Sequence, residues 1–109
     1  MSASDTPLAR RQCRPDAAAL DGEAIAARLA RLPLWRIEDG QLTRDFRFPD
    51  YHRTIAFVNA SAWISHAQDH HPDLAVGYAR CTVRFVTHSA GGLTDNDFIC
   101  AARHDALLD

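Results

Sequence analysis

Two stretches of alternating residues, each doubled back on itself at a turn, constrain this chain more than any other feature. Leu42, Phe46 and Phe48 fall on one side of a pleat, with Thr43, Asp45 and Arg47 on the other. That is the period of a strand with one buried face. Trp35 and Ile37 form a shorter run before it, and Asp39-Gly40 between the two runs has the residues a tight hairpin demands. A second pair occupies Leu74 to Thr87, turns near Gly77-Tyr78 and places Cys81, Val83 and Phe85 on one face. A sheet that is apolar on one side and polar on the other is expected to be antiparallel, because parallel sheets are covered on both sides.

Helical segments separate the hairpins. Asp21 is suited to cap a helix reaching Arg31, with Ile25 and Leu29 four residues apart and Pro33 beyond its end. Asp50 can cap a second helix that runs to about Asp69. Gly91-Gly92 breaks the chain, and Thr94 then opens a last helix through Leu107, with Asp97 completing a capping-box-like pattern. This order predicts an α+β fold, a two-layer sandwich of a four-stranded antiparallel sheet with helices packed on one face. The 109 residues suffice for one domain, expected over 16–109. Residues 1–15, rich in Ser, Arg and Pro without periodicity, are expected to be a disordered tail.

Composition removes several function classes. Hydrophobic residues at 47% and charged residues at 24% exclude a disordered chain, a collagen-like repeat and a disulfide scaffold. The 12 basic residues, all arginine, face 14 acidic ones, giving a net charge of -2, and they are scattered. Nucleic-acid binding would want them gathered into a patch. The longest uncharged stretch, Thr54 to Gln68, is too short and polar to cross a bilayer. Residues 1–15 lack the apolar run of a targeting segment, so a cytoplasmic location is expected. Cys13, Cys81 and Cys100 are far apart, in no paired motif, and read as reduced thiols.

The second helix carries a surplus of apolar surface. Ile55, Ala56, Phe57, Val58, Ala60, Ala62, Trp63, Ile64 and Ala67 cover nearly its whole circumference. Packing on a small sheet uses only one stripe. The remainder is expected to meet the same helix of another subunit, as a homodimer or homotetramer; the plainer alternative is tolerated surface on a helix of good helix formers.

Four of the six histidines, His66, His70, His71 and His88, lie close together in the second half. His66 and His70 are four apart and are expected to share a helix face. Pro72 disfavours helical geometry at His71, so the adjacent histidines should point apart. His88 follows the last strand and could lie near the second helix's end. Several imidazoles around one cleft, with no serine or cysteine motif beside them, suggest acid–base elimination or addition. Asp69 or Asp97 could orient one imidazole, although Asp97 also serves as a cap and the histidines complement a helix C-terminus. Zinc is the competitor: His66 and His70 have ligand spacing, with His88 or Asp97 as a third donor, but the glutamate of H-E-x-x-H is absent.

His66-x-x-x-His70-His71-Pro72, then Tyr78, His88 and Asp97 at their spacings, resembles the signature of the pterin-4a-carbinolamine dehydratases. The resemblance extends to Thr87, to Gly91-Gly92-Leu93-Thr94, to Trp35 and to Ala56-Phe57-Val58, and spans about Leu20 to Asp105. It implies a hydro-lyase that dehydrates a 4a-hydroxytetrahydropterin to quinonoid dihydropterin, serving an aromatic amino-acid hydroxylase, with no metal and no organic cofactor. By position, His70 and His88 would be the acid–base pair and His71 would bind substrate. Asp69 and Asp97 would support them, and Trp35 would border the pterin. The family commonly has an acid where this chain has His66. It further implies subunits that associate through strand edges and the second helix. Relatives also act as dimerisation partners of a transcription factor, so a non-catalytic interaction module is the alternative.

Overall fold

The computed structural model describes residues 7–108. Residues 1–6, the start of the expected tail, and residue 109 lie outside the described residues. The elements are α1 (Gly22–Leu29), β1 (Arg36–Glu38), β2 (Gln41–Arg47), α2 (Tyr51–Gln68), β3 (Asp73–Val76), β4 (Arg80–Phe85) and α3 (Asp95–Ala106). Short 3-10 turns add Leu8–Arg10 and His88–Ala90.

The four strands form one antiparallel sheet in the order β1-β2-β4-β3. Glu38 pairs with Gln41 across Asp39 and Gly40, whose φ angles are 51° and 75°. Two consecutive positive φ values make the I′ turn whose twist matches that of paired strands. Register then follows: Phe46 opposes Cys81 and Leu42 opposes Phe85, so the apolar residues of the central strands share one face. All four are buried. The helices cover that face. Phe57 of α2 lies 4.4 Å from the Phe46 ring, and His104 of α3 lies 5.4 Å from the Phe85 ring.

The other face is polar, as the alternation predicts. Arg84 reaches Glu38 at 3.3 Å and Thr43 at 3.4 Å, and Thr82 donates to Asp45 at 2.5 Å. Helix starts coincide with the expected caps: Asp21 accepts from the Ala24 amide, and Asp50 from the Arg53 amide. Helix α1 is peripheral. None of its residues is fully buried, although Ile25 and Leu29 lean on the core and Arg28 pairs with Asp95 at the start of α3.

Residues 7–15 depart from the expected tail. Leu8 is buried in the core, and the Arg11 carbonyl accepts from Arg103 Nε at 3.1 Å. Asn96 holds Arg14 from both sides, accepting its amide at 2.9 Å and donating to its carbonyl at 2.6 Å. The Cys13 amide donates to Gln68 Oε1 at 2.8 Å. This segment is a strap fixed by α3 and the end of α2. Its order comes from distant partners, which leave no periodic trace in the strap's own sequence.

Candidate functional site

The site begins where α2 ends. Asp69 adopts the left-handed conformation, with φ 51° and ψ 40°. Its amide donates to the His66 carbonyl at 3.4 Å, and the His70 amide donates to the Ser65 carbonyl at 3.2 Å. Those two bonds are the Schellman arrangement. An αL residue turns the chain off the helix axis, so His70 leaves α2 and crosses toward α3. The expectation that His66 and His70 share a helix face is therefore corrected. His66 stays exposed on α2, edge-on to Trp63 at 6.4 Å.

His70 meets Asp97 instead. Its Nε2 donates to Asp97 Oδ1 at 2.7 Å, and its ring lies nearly parallel to Phe85, 12° between planes and 5.9 Å between centroids. Asp97 is fully buried and divides its oxygens between two tasks. Oδ1 holds the imidazole; Oδ2 accepts from the Thr94 amide at 2.9 Å and from the Thr87 hydroxyl at 2.8 Å. The capping box of α3 and the orienting carboxylate are one residue, so the helix cap fixes the position of the site's carboxylate.

Burial disfavours the charged form of His70, but the hydrogen bond and the negative charge of Asp97 outweigh it, and its pKa rises above 6.5. With Nε2 committed, Nδ1 is the nitrogen left for chemistry. It makes no hydrogen bond among the described residues.

His70, His71 and His88 line one cleft of about 270 Å³, together with Asp69, Asp73, Arg84 and Thr87. That is just below the usual span of ligand clefts, about 300–1,000 Å³, and suits a compact heterocycle. The three imidazoles come from two places: the α2–β3 connection, which carries His70 and His71, and the 3-10 turn after β4, which carries His88. His71 and His88 are exposed while His70 is largely covered. Gly91 closes the His88 turn at φ 74°, and the Thr87–Gly92 bridge brings the chain back toward Thr94. This is how β4 delivers His88 and Thr87 beside α3.

Two expected members stand elsewhere. His66 lines a neighbouring cleft with Val58 and Leu74, and Asp69 and His71 border both clefts. Trp35 does not line the cleft. It is buried between Phe46 and Phe85, and its Nε1 donates to Asp105 Oδ1 at 2.8 Å. A large indole is drawn into the core when a partner for its N–H is available there. Among the described residues, no group of three His, Cys, Asp or Glu side chains is disposed to hold a metal ion.

Sequence reasoning passed over Thr87, Asp73 and Arg84 as site residues. Thr87 precedes His88, and Asp73 and Arg84 face each other across β3 and β4; the strand pairing was legible and would have found the pair. It also passed over His104. That ring is fully buried, with Nδ1 donating to the Cys100 carbonyl and Nε2 accepting from the Ser61 hydroxyl, both at 2.7 Å. With both nitrogens satisfied away from the cleft, His104 ties α2 to α3 and is structural.

Comparison with known proteins bears on the family and the fold. A protein of Stenotrophomonas maltophilia (strain K279a), named as a pterin-4-alpha-carbinolamine dehydratase, is 52% identical over 108 residues, 94% of this chain and 93% of its own. The crystal structure of a transcriptional coactivator/pterin dehydratase from Brucella melitensis superposes with a TM-score of 0.79 at 30% identity, covering 84% of this chain and 99% of that one. A pterin dehydratase-like protein described as a RuBisCO assembly factor in the alpha-carboxysome gives a TM-score of 0.58 at 29% identity, covering 67% and 87%. The family model for pterin 4 alpha carbinolamine dehydratase matches residues 18–107, and the chain belongs to that family of carbon–oxygen lyases.

Proposed function

We propose that this protein dehydrates a 4a-hydroxytetrahydropterin to quinonoid dihydropterin and water, by proton transfer between substrate and histidines. The observation that carries the reading is the Asp97-held His70 imidazole in a cleft shared with His71 and His88. The reaction breaks one C–O bond. The hydroxyl leaves as water after taking up a proton, and an N–H proton departs as the nitrogen's electron pair forms the new double bond to carbon.

His70 is the group to deliver the proton, because Asp97 favours its charged form at the pH where it must act. His88, exposed on the opposite element, is the group to receive one. His71 binds the heterocycle, and Asp69 supports the two imidazoles that flank it. The elimination asks for proton transfer alone, so neither metal nor organic cofactor enters it. The physiological setting is recycling of a tetrahydropterin for an aromatic amino-acid hydroxylase in the cytosol.

The test is a direct assay of carbinolamine dehydration against the uncatalysed rate. His70→Ala and His88→Ala should each lower kcat by about a hundred- to ten-thousand-fold with the fold intact. His71→Ala should act through KM, and the double His70/His88 variant should cost less than the product of the single effects. Near-parental kcat in both single variants would place the chemistry elsewhere. A second reading, a non-catalytic interaction module, draws on the 75% exposure of Trp63 on α2 and on the assembly-factor relative. A parent chain with no rate above background, but with a stable protein partner held through α2, would establish it.

A further inference from the structure

Cys13 and Cys100 are 87 residues apart in sequence, yet their sulfurs lie 3.5 Å from each other. Cys13 belongs to the strap and Cys100 to α3. Several bonds hold the two together independently of the sulfurs, including the Asn96 contacts to Arg14 and the Arg103 contacts to the Arg11 carbonyl. The thiols thus face each other because the fold puts them there. Closing them to a disulfide requires the separation to fall from 3.5 Å to about 2.05 Å.

Their surroundings differ in the way an attacking and a resolving thiol must differ. Cys13 is partly exposed and Cys100 is buried. Cys100 stays protonated and hydrogen-bonds to Cys13, which, with help from the charges of His70 and Arg103, brings the Cys13 thiol below its ordinary range. The same bond and burial push Cys100 upward. Cys81 has no sulfur partner among the described residues and is fully buried in β4, which makes it an internal control.

We propose that Cys13 and Cys100 form an oxidation site, in which a peroxide converts the pair to a disulfide that staples the strap to α3. The Cys13 thiolate attacks one peroxide oxygen; the O–O bond breaks, giving a sulfenic acid and hydroxide. The Cys100 sulfur then attacks the Cys13 sulfur, the S–S bond forms, and the S–O bond breaks. The departing hydroxyl takes the Cys100 proton as water. Two thiols lose two electrons, one peroxide gains them, and two waters result. The proposal rests on the strap and α3 alone, and stands whether or not the cleft dehydrates a pterin.

The staple closes a long loop, which restricts the unfolded chain and raises thermal stability. It also sits behind the site, since Cys100 Sγ contacts the His70 carbonyl at 3.8 Å.

The full-length protein is treated with a modest excess of hydrogen peroxide, blocked with an alkylating agent and digested with trypsin. Cleavage after arginine puts the three cysteines in different peptides: Gln12–Arg28, Cys81–Arg84 and Phe85–Arg103. The expected result is a loss of two of three free thiols, a linked Gln12–Arg28/Phe85–Arg103 pair, an unmodified Cys81, and a Tm increase reversed by reductant. In C100S, Cys13 should halt at the sulfenic acid, trapped by a 1,3-diketone such as dimedone. In C13A, Cys100 should remain a free thiol. Three thiols surviving in the parent together with no sulfenic acid in C100S would overturn the proposal, as would links that involve Cys81 or join separate chains.

Discussion

His70 and His104 carry the same side chain in one small domain, and their surroundings drive them in opposite directions. Burial keeps His104 in its neutral form and lowers its pKa, outweighing the Cys100 carbonyl and Asp105, whereas Asp97 raises that of His70 above 6.5 despite burial. The two therefore contribute opposite slopes to stability against pH. His70 stabilises the fold fully below its unfolded pKa, and the contribution fades as pH rises through the higher folded value. For His104 the stability present above the unfolded pKa is lost as pH falls toward the lower folded value, because the unfolded chain then binds the extra proton. Removing His70 leaves only the second slope. In His70→Ala, urea midpoints should therefore drop more steeply between about pH 7.5 and 5.5 than in the parent; equal slopes would show that Asp97 does not charge His70. A more direct reading comes from NMR titration of the His70 ring. Its midpoint should lie above 6.5, and Asp97→Asn should bring it below that of the parent, because the neutral amide no longer favours the charged ring. An unchanged midpoint would remove the carboxylate from the argument.

At the scale of elements, alternation and caps were legible and the turn after α2 was not. Both hairpins, the Asp39-Gly40 turn, the Asp50 cap and the Thr94–Asp97 box stand where period and residue type placed them, because each is a local preference. The end of α2 near Asp69 was legible too, but its left-handed turn was not. Asp69 tolerates that backbone less readily than glycine does, and the contacts that receive His70, with Asp97 and Phe85, come from distant elements. The strap was hidden for the same reason, and Trp35 was drawn inward by Asp105, a partner 70 residues away. The cap of α3 offers a way to separate stability from site chemistry. The Thr94 hydroxyl accepts from the Asn96 amide and touches the Thr87 hydroxyl, while the Thr94 backbone amide serves Asp97. Thr94→Ala should cost about 1 kcal/mol in urea unfolding, with Thr94→Ser restoring most of it. Asp97 keeps its backbone donor and Thr87, so the His70 midpoint should stay close to that of the parent. A large shift would mean that the hydroxyl chain, more than the backbone, positions the carboxylate.

At the scale of the whole molecule, one face of α2 has no partner among the described residues. Thr54, Phe57 and Ser61 are its buried stripe, spaced to face the sheet and α3, while Ala56, Ala62, Trp63 and Ala67 lie exposed. Among the described residues no helix is long and apolar enough to cross a membrane. Trp63 is 75% exposed. Burying a side chain of that size contributes about 3–5 kcal/mol, and a two-fold interface would use it twice. Two such rings offset a substantial part of the association cost of roughly 4–15 kcal/mol, and the neighbouring alanines let backbones approach. The edge strands β1 and β3 offer a second, backbone-mediated route to assembly. Ile64, one of the apolar residues around that helix, is half-buried, so a charge there would disturb the subunit as well as the interface. Trp63→Glu is the cleaner probe: it should lower the oligomeric state in sedimentation at micromolar concentration while leaving the circular-dichroism spectrum unchanged. Because His66 touches Trp63 and borders the cleft beside His71, a second copy seated on α2 would also wall that neighbouring cleft. Loss of assembly should then raise KM more than it lowers kcat. A parent that sediments as a monomer would end the argument for assembly, and a Trp63→Glu oligomer of parental size would move the interface to the strand edges.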